Sequence, residues 1–464
     1  MTKMFGTAGI RGLTNFEMTP LLALKMAQVY GDYLGNKGKV AVGRDTRFGA
    51  HMLSDAAACG LVSAGVNVED CGTVPTGCLA TYVTQKKLDG AILITGSHTP
   101  PDRIGLIVMM SDGAYVPDRV ARSLERMFEE YSTRRCVTPP DRIGSVVPAD
   151  APIELYRKKL LSWVDAKLIA RAKYRVLVDP CNGAAAHVLT DVLRRAGCSV
   201  LELNAEPSCI PGRAPEPRAN VLAATAREVV KKRCDLGVAT DIDADRVLFI
   251  DANGQVLSED LVGAIFAEEE LAPLRDRKCV TPINSSGLID LVCAKLNATL
   301  EYCPPGQPAT VEAIKRVGAA YSYEESGKYY FCRQVLWCDG LLAALKMLEI
   351  MARKKLPLSE LGAHLPKFYQ VKRLVRCEDS KKEAVMARTA EIWKKEGTEG
   401  RVKDVTVDGL KRVYKDSSWL LLRKSGTEPL IRVFSDSMSP GRSESLVALG
   451  EEIVRRAIKQ AGGR

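Results

Sequence analysis

The chain has no apolar run near the roughly 18 residues that a membrane-spanning helix requires, which argues against a bilayer-spanning role. Histidine is scarce, with four in the chain, and the 14 cysteines form no Cys-x-x-Cys pair, so the usual zinc arrangements are missing. The cysteines stand singly and read as small buried apolar residues in a reducing compartment. A cytoplasmic location is therefore expected. A glycine loop beginning at Phe5 argues against a cleavable signal peptide. Aromatic residues make up 6% against 46% hydrophobic, an ordinary balance for α/β proteins. A concentrated basic stripe is also lacking. The net charge of +10 is modest for 464 residues, and Lys231-Lys232-Arg233 and Arg353-Lys354-Lys355 sit in polar helical segments without interleaved aromatics. No nucleic-acid partner is expected, although anionic metabolites would be attracted. No heptad pattern or apolar stripe indicates an oligomeric state, which the sequence leaves unknown.

What is present is an alternation of apolar strands and amphipathic helices in a chain too long for one core. Val40-Ala41-Val42 precedes a helical run over about 51–64, and Ala91–Ile94 and Leu106–Met110 read as further strands. The cadence returns at Arg175–Asp179, Leu236–Ala239 and Cys279–Pro282. Thr138–Pro148 is linker-like and Asn253-Gly254 is a turn signal. After about 366 the pattern changes to alternating strands such as Phe368–Val375 and Trp419–Lys424. The chain is thus expected to form three mixed α/β domains of βαβ units, 1–150, 151–253 and 254–365, and a smaller α+β domain, 366–464.

The segment Ile94-Thr95-Gly96-Ser97-His98-Thr99-Pro100-Pro101-Asp102 follows a buried strand, and its prolines forbid a helix. Ser97 is presented on a stiff loop at a strand end, the location where open α/β sheets keep their chemistry. Such a serine can be a nucleophile, a metal ligand or a carrier of phosphate. Asp241-Ile242-Asp243-Ala244-Asp245-Arg246 places three carboxylates at alternate positions between apolar strands, a set whose oxygens suit Mg²⁺. Arg423-Lys424-Ser425-Gly426-Thr427-Glu428-Pro429, with Arg432, joins exposed amides to forked donors, as a phosphate cradle requires. Phe5-Gly6-Thr7-Ala8-Gly9-Ile10-Arg11-Gly12 places Arg11 where it can stabilise a transferring phosphoryl group. Tyr323-Glu324-Glu325-Ser326-Gly327-Lys328 carries short polar side chains able to hold sugar hydroxyls.

In this order the five segments resemble the α-D-phosphohexomutase family, which includes phosphoglucomutase, phosphomannomutase and phosphoglucosamine mutase. Supporting matches are Gly72-Thr73-Val74-Pro75-Thr76, Val178-Asp179 with Asn182-Gly183, and Pro215-Glu216-Pro217. The resemblance implies four domains around a central cleft, a phosphorylated Ser97, and one Mg²⁺ held by Ser97, Asp241, Asp243 and Asp245. It implies Arg11 and His98 as catalytic partners of Ser97 and a sugar bisphosphate as intermediate and activator. Arg423, Ser425, Gly426, Thr427 and Arg432 would grip the distal phosphate of a small-molecule sugar phosphate. Arg246, Glu324, Ser326 and Lys328 would complete substrate binding. The implied reaction interconverts sugar 1- and 6-phosphates by intramolecular phosphoryl transfer.

The chain departs from the family pattern at several positions. Gly96 stands for alanine, Thr99 for asparagine, Ile107 for a lysine often given an acid/base role, and Lys328 for histidine. Pro305-Gly306-Gln307-Pro308 also lacks the usual valine-glycine-aspartate pattern. The altered sugar loop leaves phosphoglucosamine and phosphopentose substrates open, and a weakly catalytic sugar-phosphate-binding protein is the alternative of another class. Lys328 is the candidate to act on the transferring hydroxyl in place of the absent lysine.

Overall fold

The computed structural model describes residues 4–6, 8–132, 138–426 and 428–461. It comprises two compact units: one running to Glu259 with Gly306–Glu312 and Ser326–Gly362, the other made of Asp260–Pro305, Ala313–Glu325 and the residues from Ala363 onward.

In the first unit, a six-stranded mixed sheet is ordered Ile10–Leu13, Arg103–Met110, Gly90–Ile94, Lys39–Arg44, Asn67–Thr73, Val146–Pro148. The last four strands run parallel, while Arg103–Met110 is antiparallel to both its neighbours. Every residue of Gly90–Ile94 is buried, as the uninterrupted apolar run demands of a central strand covered on both faces. The helix Pro20–Tyr33 begins with proline at its first turn and with Thr19 Oγ1 accepting from Leu22 N at 3.2 Å. It packs with Ala50–Ser63 over a core that includes Met26, Leu53, Leu61, Ile92, Ile94 and Val108. The linker-like end of Thr138–Pro148 turns out to be an edge strand. Val146–Pro148 pairs with Val68–Asp70 and its side chains stay exposed; at three residues it is too short to show a strand period. A second, four-stranded sheet is ordered Val247–Asp251, Leu236–Thr240, Arg175–Asp179, Ser199–Glu202, with the first pair antiparallel.

In the second unit, Thr299–Cys303, Lys278–Pro282 and Tyr321–Glu324 lie parallel. A separate sheet, ordered Tyr369–Arg376, Leu430–Ser437, Trp419–Lys424, Leu410–Tyr414, Arg401–Val405, is antiparallel throughout. Its apolar face and the long helix Pro440–Ala461 enclose Leu420, Leu422, Val433, Leu446 and Val454. Polar bonds run between these two sheets' segments. Asp436 accepts from Ser286 Oγ at 2.6 Å and from Gly287 N at 2.8 Å. Asp260 accepts from Tyr323 Oη at 2.8 Å and from Ser286 N at 3.2 Å.

Burial, and then the Glu325 charge, push the Asp260 carboxyl up to about 7. The unfolded carboxyl gives up its proton near 3.8, so between these values the folded chain binds more protons than the unfolded one. Stability from this group is therefore full below about pH 4 and declines until about pH 7. The urea midpoint should fall over that window in the natural chain, and Asp260→Asn should flatten the fall. An unaltered slope in the variant assigns the decline to other groups.

Candidate active site

The serine loop leaves the buried strand Gly90–Ile94, and Ser97 adopts a left-handed backbone at φ 51°. That conformation is uncommon for a residue with a side chain, and here it turns a buried hydroxyl onto the aspartate loop. Ser97 Oγ donates to Asp241 Oδ2 at 2.7 Å and lies 3.2 Å from His98 Nδ1. Asp241, Asp243 and Asp245 sit on the hairpin loop between Leu236–Thr240 and Val247–Asp251. Three backbone bonds from different segments pin this loop: Thr76 N to Asp243 O at 2.9 Å, Gly340 N to Ala244 O at 3.0 Å, and Val247 N to Gly327 O at 2.9 Å. Alternation along the chain is thereby converted into convergence, with one oxygen of each carboxylate within 4.8 Å of the others.

Three carboxylates at 0–2% exposure repel one another where water cannot screen them. Burial, then the charges of Asp241 and Asp245, push Asp243 well up from the usual carboxylate range. Burial and Asp245 also raise Asp241. Burial would raise Asp245 too, but Lys328 and Arg246 hold it below its ordinary value. Lys328 Nζ donates to Asp245 Oδ2 at 2.7 Å. Asp243 Oδ2 accepts from Thr76 Oγ1 at 3.2 Å and lies 3.2 Å from Thr95 Oγ1. The other oxygens, Oδ1 of Asp243 and of Asp245, are buried with no hydrogen-bond partner among the described residues. Hard, unsatisfied anionic oxygens gathered in this way fit a divalent cation.

Arg246 bridges this centre to the Pro215-Glu216-Pro217 segment, with Nη1 2.9 Å from Glu216 Oε1 and Nη2 3.3 Å from His98 Nε2. Burial, then Arg246, Arg11 and Lys328, depress His98 to about 2, so its ring is neutral at any physiological pH. A guanidinium can only donate, so Nε2 is the accepting nitrogen and Nδ1 carries the proton. Gly9 in the opening loop has φ 86°, and a Cβ there would lie 2.5 Å from Leu106 O. Ile107 packs against that loop at 1% exposure, so the position where the family places a lysine holds a buried aliphatic chain. Arg11 pairs in register with Gly105, and its Nε is buried without a hydrogen-bond partner among the described residues.

In the second unit the residues expected to cradle phosphate lie at the turn between Trp419–Lys424 and Leu430–Ser437. Arg423 and Arg432 are directly opposed across the strands, a like-charge pairing that is unfavourable without acids or an anion. Arg423 Nε pairs with Asp408, and Arg432 Nη2 lies 3.1 Å from Glu428 and 3.3 Å from Ser425 Oγ. Buried Lys382 donates to the carbonyls of Ser425, at 2.7 Å, and of Glu428, tying down both ends of the turn. An added Cβ at Gly426 would have nothing within 4 Å, while the Ser425 amide is bonded to Leu430 O at 3.0 Å. Thr427 lies outside the described residues. Glu324 ends the strand Tyr321–Glu324 of this unit, while Ser326 belongs to the first unit.

Sequence reasoning missed Asp45, Arg47, Thr95 and Lys382 as parts of these centres. Gly43-Arg44-Asp45 at a strand end was a visible signal for Asp45; a lone lysine at the start of a helix carried none.

A buried serine hydroxyl, a carboxylate triad and a turn framed by arginines are the equipment of a phosphoryl-transfer enzyme. The chain matches the Phosphoglucomutase/phosphomannomutase family in four consecutive parts: alpha/beta/alpha domain I over 2–135, domain II over 154–254, domain III over 258–369, and the C-terminal domain over 374–448. It is 34% identical over 464 residues to a phosphoglucomutase/phosphomannomutase of Thermococcus kodakarensis, covering 99% of this chain and 100% of the relative. It is 33% identical to a phosphoglucosamine/phosphogalactosamine mutase of Sulfurisphaera tokodaii, covering 98% of this chain and 99% of the relative. In fold it is similar to a phosphoglucomutase/phosphomannomutase family protein of Burkholderia thailandensis, with a TM-score of 0.85, 23% identity, and coverage of 99% of this chain and 98% of that one. The chain belongs to the α-D-phosphohexomutase family. Its architecture is the family's four domains, three with mixed α/β sheets and a C-terminal one with an antiparallel sheet. Its reaction class is isomerisation by intramolecular phosphoryl transfer. Among the described residues no helix is long and apolar enough to cross a membrane.

Calorimetric titration of the chain with Mg²⁺ should detect binding that Asp243→Asn weakens by more than the roughly 10- to 100-fold typical of losing an outer-shell partner. Equal affinity in the variant removes the triad as the cation site.

Proposed function

We propose that the chain interconverts hexose 1- and 6-phosphates, glucose and mannose phosphates foremost, through a phosphorylated Ser97 and a bisphosphorylated sugar. The observation that carries this reading is Ser97 Oγ held 2.7 Å from Asp241 beside the other two carboxylates. Asp241, Asp243, Asp245 and the phosphate on Ser97 would hold one Mg²⁺, which when bound neutralises charge on the phosphoryl oxygens. Arg11 adds a second positive charge from the opening loop. His98, neutral and protonated on Nδ1, donates to the serine oxygen and stabilises it as a leaving group. In the forward step the P–Oγ bond breaks and a P–O bond to the sugar hydroxyl forms. The hydroxyl's proton is balanced by the one Ser97 regains. The bisphosphate then turns over and returns its other phosphate to Ser97, with Arg423, Ser425, Gly426, Thr427 and Arg432 gripping the distal group. Glu324 and Ser326 hold sugar hydroxyls, Arg246 is held in place by Glu216, and a sugar bisphosphate serves as activator by restoring phospho-Ser97. The setting is the cytoplasm.

Amino-sugar phosphates are the second reading, favoured by the likeness to the mutase named for phosphoglucosamine and phosphogalactosamine. Assays of glucose, mannose and glucosamine phosphates with catalytic bisphosphate separate the two: the larger kcat/KM names the substrate. The purified chain should carry the mass of one phosphoryl group, and Ser97→Ala should lose both that mass and turnover. Substantial turnover in the alanine variant sinks the phosphoserine route.

Lys328 is ion-paired with Asp245, so its ammonium offsets the triad and steadies the transferring hydroxyl by donating to it. Lys328→Met should lower kcat by about 10²-fold, the lower range for losing a group active in proton transfer. If only KM moves, the lysine is a binding residue.

A further inference from the structure

Arg47 is 5% exposed, and its guanidinium is enclosed by the serine loop. Nη1 donates to Pro100 O at 2.6 Å, to Arg103 O at 2.8 Å and to Thr99 Oγ1 at 3.3 Å. Nη2 donates to Thr99 O at 2.8 Å and to Ser97 O. Four main-chain carbonyls of one loop thus converge on a single planar fork. The fork is itself anchored. Arg47 Nε lies 3.4 Å from Asp45 Oδ2, and Arg47 N donates to Asp45 Oδ1 at 2.9 Å. Asp45 Oδ2 also accepts from Thr95 Oγ1 at 2.7 Å and Gly96 N at 3.1 Å, so one carboxylate holds both the arginine and the residues preceding Ser97. The same Thr95 hydroxyl lies 3.2 Å from Asp243 Oδ2 and accepts from Ser97 N at 2.8 Å. Gly96 belongs to the arrangement: a Cβ there would lie 2.6 Å from Arg47 Cζ.

We propose that Arg47 is a positioning residue for phosphoryl transfer, its fork locking the 97–103 carbonyls so that Ser97 keeps its left-handed backbone and its Oγ stays aimed at the aspartate triad. This rests on the reading of Ser97 as the phosphate carrier. The carbonyl of Ser97 points back to Arg47 while its hydroxyl points to Asp241; fixing the first fixes the second, because the loop has lost its freedom to rotate the serine away. Lysine cannot substitute. A compact ammonium makes no planar fork and cannot span carbonyls on both sides of Thr99. The role is distinct from substrate binding, since Nη1 and Nη2 both donate to protein atoms and Nε is buried beside Asp45.

Steady-state kinetics of the Mg²⁺-loaded full chain test this. Arg47→Lys should remain folded by circular dichroism, keep a near-normal KM and lose about 100-fold in kcat, the scale of an ångström-sized misplacement of a reacting group. In Arg47→Ala, added guanidinium chloride at non-denaturing concentration should restore part of kcat. If the lysine variant does not fold, Asp45→Asn, which loosens the anchor and keeps the fork, should give the same kcat-only loss to a smaller degree. A near-normal kcat in the folded lysine variant, or a loss expressed only in KM, overturns the proposal. Ser97→Ala measured in parallel separates the two readings. An inactive Ser97→Ala beside a fully active Arg47→Lys discards the role of Arg47 alone, whereas an active Ser97→Ala discards the phosphoserine route on which it rests.

Discussion

Three carboxylates buried within a few ångströms of one another are the costliest feature of this chain, and the surrounding structure is organised to hold them together. A lysine and an arginine hold Asp245 below its ordinary value, the Thr76 hydroxyl donates to one oxygen of Asp243, and the hydroxyl of Ser97 donates to Asp241. What is left unsatisfied is one oxygen each on Asp243 and Asp245, the valence a divalent cation fills. The cost of gathering the acids is what a bound divalent cation would offset.

Holding the acids requires rigidity from distant parts of the chain. The aspartate loop is pinned by amides at Thr76 and Gly340 and by the Val247 amide on Gly327. The serine loop is held in the same way by Asp45 and Arg47, residues of the strand-to-helix turn after Lys39–Arg44. These contacts explain why a serine in an uncommon backbone conformation is buried at 1% exposure rather than displayed on the surface. A reacting group held by main-chain bonds pays for its orientation during folding and not during turnover.

The second unit meets a comparable problem with opposite sign. Arg423 and Arg432 face each other across adjacent strands, and Asp408 and Glu428 balance them. Lys382 fixes the turn through the carbonyls of Ser425 and Glu428, and the Ser425 amide closes it on Leu430 O at 3.0 Å.

Much of this was legible along the chain. Apolar runs marked Gly90–Ile94, Arg175–Asp179 and Leu236–Thr240 as strands, because a buried parallel strand must be apolar throughout. The Asp-x-Asp-x-Asp spacing announced a cation-binding loop because its chemistry is local. The edge strand Val146–Pro148 was not legible, since three residues ending in a proline are too few to show a strand period. Arg47 and Lys382 were hidden as well, as their partners are carbonyls, which every residue has and no sequence pattern displays. Lys328 read as a sugar-loop residue, and only the folded chain set it against Asp245, 83 residues away. The sequence by itself determined the family, the α/β architecture and the strands that carry the serine and aspartate loops. The tertiary structure alone decided which charges neutralise which, because electrostatic pairing depends on distance and burial, and neither is a property of position along the chain.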